Sequence, residues 1–336
     1  MVDTRPRVLV AGASGYAGAL AARLIWRHPG FALSAVTSRS DAGARLDELY
    51  PHHRVPLVLE ELDVDRHSDV EAAIVAYPHG AAAPTVAALR ERGVKVVDLS
   101  ADFRLTDLAV YERWYGAHPV PALIEDAVYG LPELRRDEIR DSALVACPGC
   151  YPTATLLALA PLARAELIAD VVIDAKSGVS GAGRAATQKT HFVSVDENVV
   201  PYGVGRHRHI PEIEQELEAL GAQGVVPAFT PHLLPLDQGE LVSCYVTPGT
   251  AVDQAELAAL YAREYEDEPF VELVDRAPGV RDVRETNICR IQAAADERTG
   301  KVFVFAAIDN LWKGTSSQAV QCLNLMFGFD ETTGIA

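Results

Sequence analysis

The sequence predicts an α/β protein of two domains, the first built on a parallel sheet and the second an α+β domain with a mostly antiparallel sheet. Three observations predict this. The chain has 336 residues, which is long for a single hydrophobic core. Strand-like and helix-like segments alternate before Cys150, as is typical of a parallel sheet covered by helices. After Cys150, strand-like segments follow one another with few helices between them.

Each element of the first domain has its own signal. Residues 7–11 form an apolar, strand-like run, and residues 15–28 carry apolar side chains on one helical face. His28-Pro29-Gly30 ends this helix, because proline cannot continue the hydrogen-bond ladder. The remaining predicted segments are strands at 31–36, 72–76, 94–99 and 143–146, and a helix at 82–92.

The second domain is predicted from five strand-like segments, at 171–175, 225–229, 241–246, 287–294 and 301–308. The last segment shows no strict polar alternation, so we expect one face to be covered by a helix or by another subunit. Residues 316–328 return to helical spacing, and we expect this helix to pack on the first domain. The predicted domains are therefore 1–149, completed by 314–336, and 150–313.

Composition excludes several classes of partner. The chain has 30 Lys and Arg against 47 Asp and Glu, a net charge of −17, and such a surface repels nucleic acid. No apolar run approaches the length of a membrane span, so we expect no membrane partner. Five scattered cysteines do not make a disulfide framework, and the amino terminus lacks a signal-peptide hydrophobic run. We therefore expect a cytoplasmic protein.

A glycine-rich turn, Gly12-Ala13-Ser14-Gly15-Tyr16-Ala17-Gly18, joins the first strand to the first helix. Its spacing is a variant of the dinucleotide-binding fingerprint, in which backbone N–H groups approach a pyrophosphate at the helix amino end. Such turns also serve packing alone. The pattern predicts a Rossmann-type nucleotide site, and its candidate residues are Gly12, Ser14, Gly15, Tyr16 and Ala17.

The end of the second strand indicates which dinucleotide is bound. Sites selective for NAD usually carry an acid there, which binds the ribose 2′-hydroxyl. This chain carries Ser38 and Arg39, and a hydroxyl beside a guanidinium suits a 2′-phosphate. We therefore expect NADP(H) as the cofactor. A solvated loop arginine is the alternative, and the nearby Asp41 keeps it open.

Cys150 follows a predicted strand and opens a predicted helix, with Pro152 in its first turn. A thiol at the positive end of a helix dipole ionises more readily, and backbone N–H groups there can stabilise an oxyanion. A redox pair with Cys147 and half of a zinc site are the alternatives. No second Cys-x-x-Cys and no zinc-type histidine spacing follows, so we expect a nucleophile and no metal.

Gly205-Arg206-His207-Arg208-His209 concentrates basic groups in an acidic chain. Such a cluster suits a substrate that carries phosphate or carboxylate groups. A surface loop that balances nearby acids is the alternative.

Seven motifs, taken in order, resemble the N-acetyl-γ-glutamyl-phosphate reductase family, which is related in design to aspartate-semialdehyde dehydrogenase. The motifs are Gly12-Ala13-Ser14-Gly15-Tyr16-Ala17-Gly18, Thr37-Ser38-Arg39-Ser40, Pro78-His79-Gly80, Asp98-Leu99-Ser100-Ala101-Asp102-Phe103-Arg104, Pro148-Gly149-Cys150-Tyr151-Pro152-Thr153, His207-Arg208-His209-Ile210-Pro211-Glu212-Ile213 and Asp309-Asn310-Leu311-Trp312-Lys313-Gly314. The resemblance implies NADPH-dependent reduction of N-acetyl-γ-glutamyl phosphate to N-acetylglutamate 5-semialdehyde and phosphate, through a cysteine thioester, in arginine biosynthesis.

The resemblance also implies roles for single residues. It makes Cys150 the nucleophile and His209 its acid/base partner, with His207 the weaker candidate. The residues expected to border the cofactor are Pro78, Ser180, Gly181 and Asn310. The residues expected to bind the substrate are Arg104, Arg208 and Glu212.

The chain departs from the family pattern at several positions. Cys147 stands where Asn is usual, which raises the hypothesis that Cys147 and Cys150 oxidise to a disulfide that silences the enzyme. Gln238 stands where Arg is usual, and the Lys313–Gln318 tail motif has Thr and Ser where Ala and Gly are commoner.

Other readings of the sequence stay open. The same chemistry on a carrier-linked aminoadipyl phosphate or on aspartyl phosphate is one, and a non-catalytic NADP-sensing protein is another. We also expect a homo-oligomer, because an exposed sheet in the second domain favours self-association.

Overall fold

A computed structural model describes residues 3–336, and the chain divides into two compact units. The first unit comprises the chain through Gly149 together with Thr315–Ala336. The second unit is Cys150–Gly314. Within the described residues, no helix is long and apolar enough to cross a membrane.

A six-stranded sheet forms the centre of the first unit. Its strands are β1 (Arg7–Ala11), β2 (Ala32–Thr37), β3 (Ala72–Val75), β4 (Lys95–Asp98), β5 (Val128–Tyr129) and β6 (Leu144–Ala146). All pairings are parallel, in the order β2-β1-β3-β4-β6-β5. Every residue of β3 is buried, as expected for a strand covered on both faces.

Among residues 3–336, the first unit has six α-helices. They are α1 (Tyr16–Arg27), α2 (Leu46–Leu49), α3 (Ala83–Arg90), α4 (Leu108–Tyr115), α5 (Pro132–Asp141) and, after the second unit, α10 (Ser317–Met326), with a 3₁₀ turn at Pro121–Leu123. A π-helical turn, Trp312–Ser316, precedes α10. Helix α10 is buried throughout and contacts α1, α5 and β4, so it belongs to the core of this unit.

The second unit is built on a seven-stranded mixed sheet. Its strands are β7 (Ile168–Gly178), β8 (Val200–Pro201), β9 (Ala228–Leu234), β10 (Glu240–Pro248), β11 (Val271–Leu273), β12 (Cys289–Asp296) and β13 (Lys301–Ile308). They lie in the order β11-β12-β13-β10-β7-β9-β8. The β11–β12 and β7–β9 pairs are parallel and the other four pairs are antiparallel.

Helices cover one face of this sheet. The helices of the unit are α6 (Cys150–Arg164), α7 (Phe192–Val195), α8 (Ile210–Ala219) and α9 (Gln254–Tyr265), with 3₁₀ turns at Val179–Ala182 and Val280–Val283. Helix α6 contacts β7, β10 and β13, and buried Ile173, Val242 and Val304 alternate with more exposed neighbours. The opposite face keeps Val172, Tyr245, Phe303 and Phe305 partly exposed.

Helix α6 is buried along almost its whole length, although Pro161 lies inside it. A proline cannot donate to the carbonyl four residues earlier, which here is that of Leu157. The Tyr265 hydroxyl donates to the Leu157 carbonyl at 2.6 Å, and the Tyr261 hydroxyl donates to the Ala158 carbonyl at 2.6 Å. Tyr265 thus satisfies the buried carbonyl that Pro161 leaves without its helical donor, and Tyr261 adds a hydrogen bond to the next carbonyl along the helix.

The predicted fold class is confirmed, and two of the predictions for the second unit are wrong. The predicted strand at 225–229 begins only at Ala228, because Pro227 has no N–H for the ladder, and Val226 is exposed. The expectation of few helices overlooked α8 and α9. Helix α9 did have a sequence signal, a capping box formed by Asp253 and Glu256.

Candidate active site

The glycine turn of the first unit is shaped for a dinucleotide. Gly12 has a φ of +83°, and a Cβ there would lie 2.6 Å from the Ala76 carbonyl oxygen, so glycine is required. Helix α1 then begins at Tyr16, and its N-cap residue Gly15 offers no side-chain cap. An uncapped helix amino end beside a close glycine turn fits a pyrophosphate, since backbone N–H groups are its natural ligands.

The expected ribose site lies at the end of β2. The Ser14 and Ser38 hydroxyls are 2.8 Å apart, and Ser38 also accepts from the Asp41 backbone N–H at 3.1 Å. The Arg39 guanidinium lies 4.5 Å from the centre of the Tyr77 ring, and Nη2 donates to the Ala81 carbonyl at 3.3 Å. Arg39 is therefore held in place by a stacked ring, which sequence reasoning did not identify.

A cavity of about 400 Å³ opens beside Arg39. Its lining includes Ser38, Arg39, Tyr77, Pro84, Thr85 and the acid Glu61. The apolar members suit a flat base, and Ser38 with Arg39 supplies polar contacts for a phosphate. Glu61 lines the cavity and the Asp41 backbone N–H bonds Ser38, so the positive charge of Arg39 is not isolated there.

Asp102 organises the loop that contains Pro78. Its carboxylate accepts from the Gly80 N–H at 2.6 Å, the Ala83 N–H at 2.9 Å and the Tyr111 hydroxyl at 2.9 Å. It thus fixes the amino end of α3 and the loop that follows β3. The sequence had marked Asp102 as part of a motif without giving it a role.

Arg104 is buried, with an exposed fraction of 8%. Its Nε donates to the Cys147 carbonyl at 2.6 Å, and Nη2 donates to the Leu99 carbonyl at 2.9 Å. These bonds fix the chain just before Gly149. A role of Arg104 in substrate binding stays a prediction.

In the second unit, Cys150 is the first residue of α6 and is partly exposed. All five cysteines are free thiols, and Cys147 is fully buried. A Cβ on Gly314 would lie 2.8 Å from the Cys150 Cβ, so only glycine leaves room for the nucleophile at this point. Oxidation of Cys147 with Cys150 stays a hypothesis.

Histidine and tyrosine rings surround the residue after Cys150. The Tyr151 ring centre is 5.6 Å from that of His207 and 5.9 Å from that of His209, and the Tyr202 hydroxyl donates to the Tyr151 hydroxyl at 3.2 Å. His209 precedes α8 as its N-cap residue. The predicted base therefore lies close to the chain neighbour of the predicted nucleophile.

His207 supports its neighbour. Burial lowers the pKa of His207 to about 4, and the charge of Arg208 lowers it in the same direction. His207 is consequently neutral at pH 7, and its Nδ1 accepts the His209 backbone N–H at 3.2 Å. A neutral, structural His207 favours His209 as the acid/base group.

The expected nicotinamide residues of the second unit come together. Asn310 Nδ2 donates to the Ser180 Oγ at 3.0 Å, and Asn310 Oδ1 accepts the Gly239 N–H at 2.8 Å. Ser180 Oγ donates to the Asp237 carbonyl at 2.5 Å, and a Cβ on Gly181 would lie 3.6 Å from the Asn310 amide nitrogen.

Arg208 and Glu212 are the other two residues expected to bind the substrate. Arg208 is exposed, and Glu212 is buried in the first turn of α8.

Glu240 is a buried acid that the sequence did not indicate as a site residue. It is fully buried as the first residue of β10. Burial raises the pKa of Glu240 to about 8, and the Cys150 and Ser177 side chains lower it in part. An acid at the start of a strand looks like an ordinary solvated carboxylate in a sequence, so no local pattern could have revealed its burial.

Among residues 3–336, no group of three or more His, Cys, Asp or Glu side chains is arranged to hold a metal ion.

Two family models match the chain. Residues 7–142 match the NAD-binding domain of semialdehyde dehydrogenase, and residues 150–310 match its dimerisation domain. The N-acetyl-gamma-glutamyl-phosphate reductases of Desulforudis audaxviator and Moorella thermoacetica are each 48% identical to it. The alignments span 98% and 97% of this chain and 97% and 96% of those proteins. The chain belongs to the N-acetyl-gamma-glutamyl-phosphate reductase family.

Solved structures have the same fold at lower identity. An aspartate semialdehyde dehydrogenase II from Vibrio cholerae gives a TM-score of 0.74 at 18% identity, covering 97% of this chain and 99% of that one. An aspartate semialdehyde dehydrogenase with NADP from Candida albicans gives 0.73 at 15%, covering 96% and 99%. At such identities the likeness concerns the fold alone. Membership of the N-acetyl-gamma-glutamyl-phosphate reductase family confirms the predicted class of enzyme and its nicotinamide cofactor.

The close approach of Gly314 to Cys150 makes a testable prediction. Gly314→Ala adds a methyl group where 2.8 Å is available, so the Cys150 side chain must shift. We expect kcat to fall by about tenfold or more, because small displacements of a reacting group are costly. Gly249→Ala is the matched control, since its Cβ would meet nothing closer than 3.9 Å. Equal kcat values for both variants would contradict the close contact between position 314 and Cys150.

Proposed function

We propose that this protein reduces N-acetyl-γ-glutamyl phosphate to N-acetylglutamate 5-semialdehyde, with NADPH as the reductant and inorganic phosphate as the second product. The observation that carries the proposal is the position of Cys150 as the first residue of α6. A thiol there is activated by the helix dipole and has backbone N–H groups beside it. The names of the relatives supply the substrate, and the site supplies the chemistry.

In the first step, the Cys150 thiolate attacks the acyl carbon of the acyl phosphate. Backbone N–H groups at the start of α6 stabilise the oxyanion that develops. The C–O bond to phosphate breaks, phosphate leaves with the electron pair, and an acyl thioester on Cys150 remains. Phosphate is a good leaving group, so this step needs mainly an activated thiol and correct positioning.

The second step reduces the thioester. NADPH, when held by the residues assigned to it below, would supply a hydride that converts the thioester into a thiohemiacetal on Cys150. The thiohemiacetal then collapses, the C–S bond breaks, and Cys150 leaves as a thiolate while the semialdehyde is released. His209 accepts the thiol proton before attack, and it takes up the proton of the thiohemiacetal hydroxyl as the C=O bond forms again during collapse. Its place beside Tyr151 and the neutral state of His207 support this assignment.

We propose that the predicted first domain, residues 1–149 completed by 314–336, binds NADP(H). Gly12, Ser14, Gly15, Tyr16 and Ala17 hold the pyrophosphate through the amino end of α1. Ser38 and Arg39 hold the 2′-phosphate, and the contact of Arg39 with the Tyr77 ring supports this role. Pro78 borders the cofactor on a loop that Asp102 keeps in place.

We assign residues 150–313 to catalysis and association. Ser180, Gly181 and Asn310 border the nicotinamide, and their mutual contacts support this assignment.

Arg104 and Arg208 bind the anionic groups of the substrate. Glu212 lies three residues after His209, on the same side of α8, and orients the substrate there. The five free thiols are consistent with action in the cytoplasm.

The outer face of the second sheet supports a homo-oligomer. Val172, Tyr245, Phe303 and Phe305 keep apolar surface partly exposed, and the Tyr245 and Phe303 rings contact each other at 5.5 Å. An apolar, flat sheet face of this kind suits burial against a second copy.

The association has a direct test. Phe303→Asp puts a charge on the outer sheet face, and we expect the mass found by analytical ultracentrifugation to fall to that of the 36.2 kDa monomer. Trp26→Asp, at an exposed position of α1, is the control and should keep the wild-type mass. A wild-type protein that sediments as a monomer would refute the homo-oligomer.

The catalytic proposal is tested in the reverse direction. Reduction of NADP⁺ is followed at 340 nm with N-acetylglutamate semialdehyde, with and without phosphate. We expect a phosphate-dependent rate that falls about a thousandfold or more in Cys150→Ser, because the nucleophile is lost. Cys322→Ser, which changes a buried thiol of α10, should keep the wild-type rate.

The contrary outcomes are distinct. Oxidation of aspartate semialdehyde or of an aminoadipate analogue instead would retain the chemistry and refute the substrate. Silence with all three aldehydes, together with tight NADP⁺ binding, would indicate a sensor in place of an enzyme.

Arg39→Ala tests the choice of cofactor. Loss of a charge-assisted contact to the 2′-phosphate should raise KM for NADPH about tenfold or more, with little change for NADH. Steady-state kinetics with both cofactors measure this. Arg66→Ala, at an exposed arginine of the same unit, is the control. Equal effects on both cofactors would remove Arg39 from the 2′-phosphate site.

A further inference from the structure

Glu240 lies beside the nucleophile, and the mechanism above does not use it. In the second sheet it pairs with Ser177 on β7 and with Ile308 on β13. Gly314 brings Cys150 to the same place, since a Cβ on Gly314 would lie 2.8 Å from the Cys150 Cβ and 3.3 Å from the Ile308 Cδ1. The fully buried carboxyl of Glu240 therefore faces the start of α6.

Five polar groups around Glu240 come from four parts of the second unit. Cys150 and Tyr151 face it from α6, Ser177 from β7, Tyr202 from the segment after β8, and Asp309 from the end of β13. None of these groups is a cation. Asp309 adds a negative charge, which further disfavours an ionised Glu240.

The environment of Glu240 consequently favours its neutral form. Burial is the main cause that raises its pKa to about 8, so the carboxyl carries a proton at pH 7. Cys150 and Ser177 lie within reach, but within residues 3–336 neither carboxyl oxygen makes a well-formed hydrogen bond. A buried O–H group without a partner is costly, and the Cys150 sulfur is an acceptor at hand.

We propose that Glu240 acts as a neutral acid toward Cys150, donating a hydrogen bond from its carboxyl O–H to the thiolate sulfur. The proton stays on Glu240 throughout. The bond orients the thiolate before attack and stabilises the same sulfur when it departs from the thiohemiacetal. Glu240 is thus a positioning residue for the nucleophile. The inference rests on the proposed function only in taking Cys150 as the reacting group.

The direction in which removal of Glu240 changes the pKa of Cys150 distinguishes a neutral donor from an ionised carboxylate. A neutral donor stabilises the thiolate, so its removal must raise the pKa of the Cys150 thiol. An ionised Glu240 would repel the thiolate, so its removal would lower that pKa. A purely structural acid would leave the pKa unchanged.

The test measures alkylation of Cys150 by iodoacetamide from pH 5 to 10, with the modified peptide quantified by mass spectrometry. In Glu240→Leu we expect the apparent pKa of Cys150 to rise by about one unit, which slows alkylation at pH 7 about tenfold or less. Glu240→Gln keeps a weaker N–H donor at the same size, and its pKa should fall between those of wild type and Glu240→Leu. Glu133→Leu is the control, because it removes a buried acid of the first unit and should keep the wild-type profile.

Either a lower pKa or an unchanged one in both Glu240 variants would overturn the proposal. If Glu240→Leu does not fold, the direction of the change in the apparent pKa of Cys150 in Glu240→Gln decides instead. The assay uses neither substrate nor cofactor, so it does not depend on the identity of the acyl phosphate. A wild-type protein that lacks reductase activity but shows the expected alkylation shifts would refute the proposed function and leave this inference standing.

Discussion

The placement of Cys150 as the first residue of a buried helix is the constraint on which the second unit depends. A nucleophile at a helix amino end gains the dipole and the backbone N–H groups, but only if the helix itself cannot move. Burial along α6 and its contacts with β7, β10 and β13 supply that rigidity. The Tyr265 hydroxyl replaces the hydrogen bond that Pro161 cannot make to the Leu157 carbonyl, and the Tyr261 hydroxyl bonds the next carbonyl. The proposed activation of the Cys150 thiol therefore depends on the packing of the whole unit.

Burial also controls the charge of titratable groups in the second unit. The chain carries a net charge of −17, yet two buried titratable groups of the second unit, His207 and Glu240, are held neutral. Burial lowers the pKa of His207 and raises that of Glu240, so both are uncharged near pH 7. An anionic acyl phosphate thus approaches without a fixed negative charge from Glu240 beside the sulfur. Neutral donors and acceptors can orient a reacting group where ionised ones would attract or repel it strongly.

Local pattern was sufficient for much of the fold and for part of the site. Apolar runs predicted five of the six strands of the first sheet and missed the two-residue β5. The glycine turn indicated a nucleotide site, which stays a prediction. The helices α8 and α9 were not predicted, because strand-like segments flank both of them in the sequence. The strand at Ala228–Leu234 was misplaced because the two valines before Pro227 look like its start.

The remaining site residues could not come from local pattern, because tertiary structure brings them together. Ser180 and Asn310 are 130 positions apart and touch through one hydrogen bond. Family resemblance indicated both, whereas spacing alone did not. Gly314 and Glu240 were missed for a related reason. The need for glycine at 314 exists only because Cys150 packs against it, and the neutral state of Glu240 exists only because the fold removes water from it.

The reaction makes a demand on the sulfur that a neutral donor meets better than a cation. In the proposed mechanism, Cys150 must be nucleophilic enough to attack and stable enough as a thiolate to leave. Nucleophilicity falls as the thiol pKa falls, so an ion pair that stabilised the thiolate strongly would weaken its attack. A carboxyl O–H bond gives moderate stabilisation at both stages and no fixed charge. Burying Glu240 as an ionised carboxylate would cost much free energy. Burying it as a neutral acid costs much less when its O–H donates a hydrogen bond to the Cys150 sulfur, as we propose.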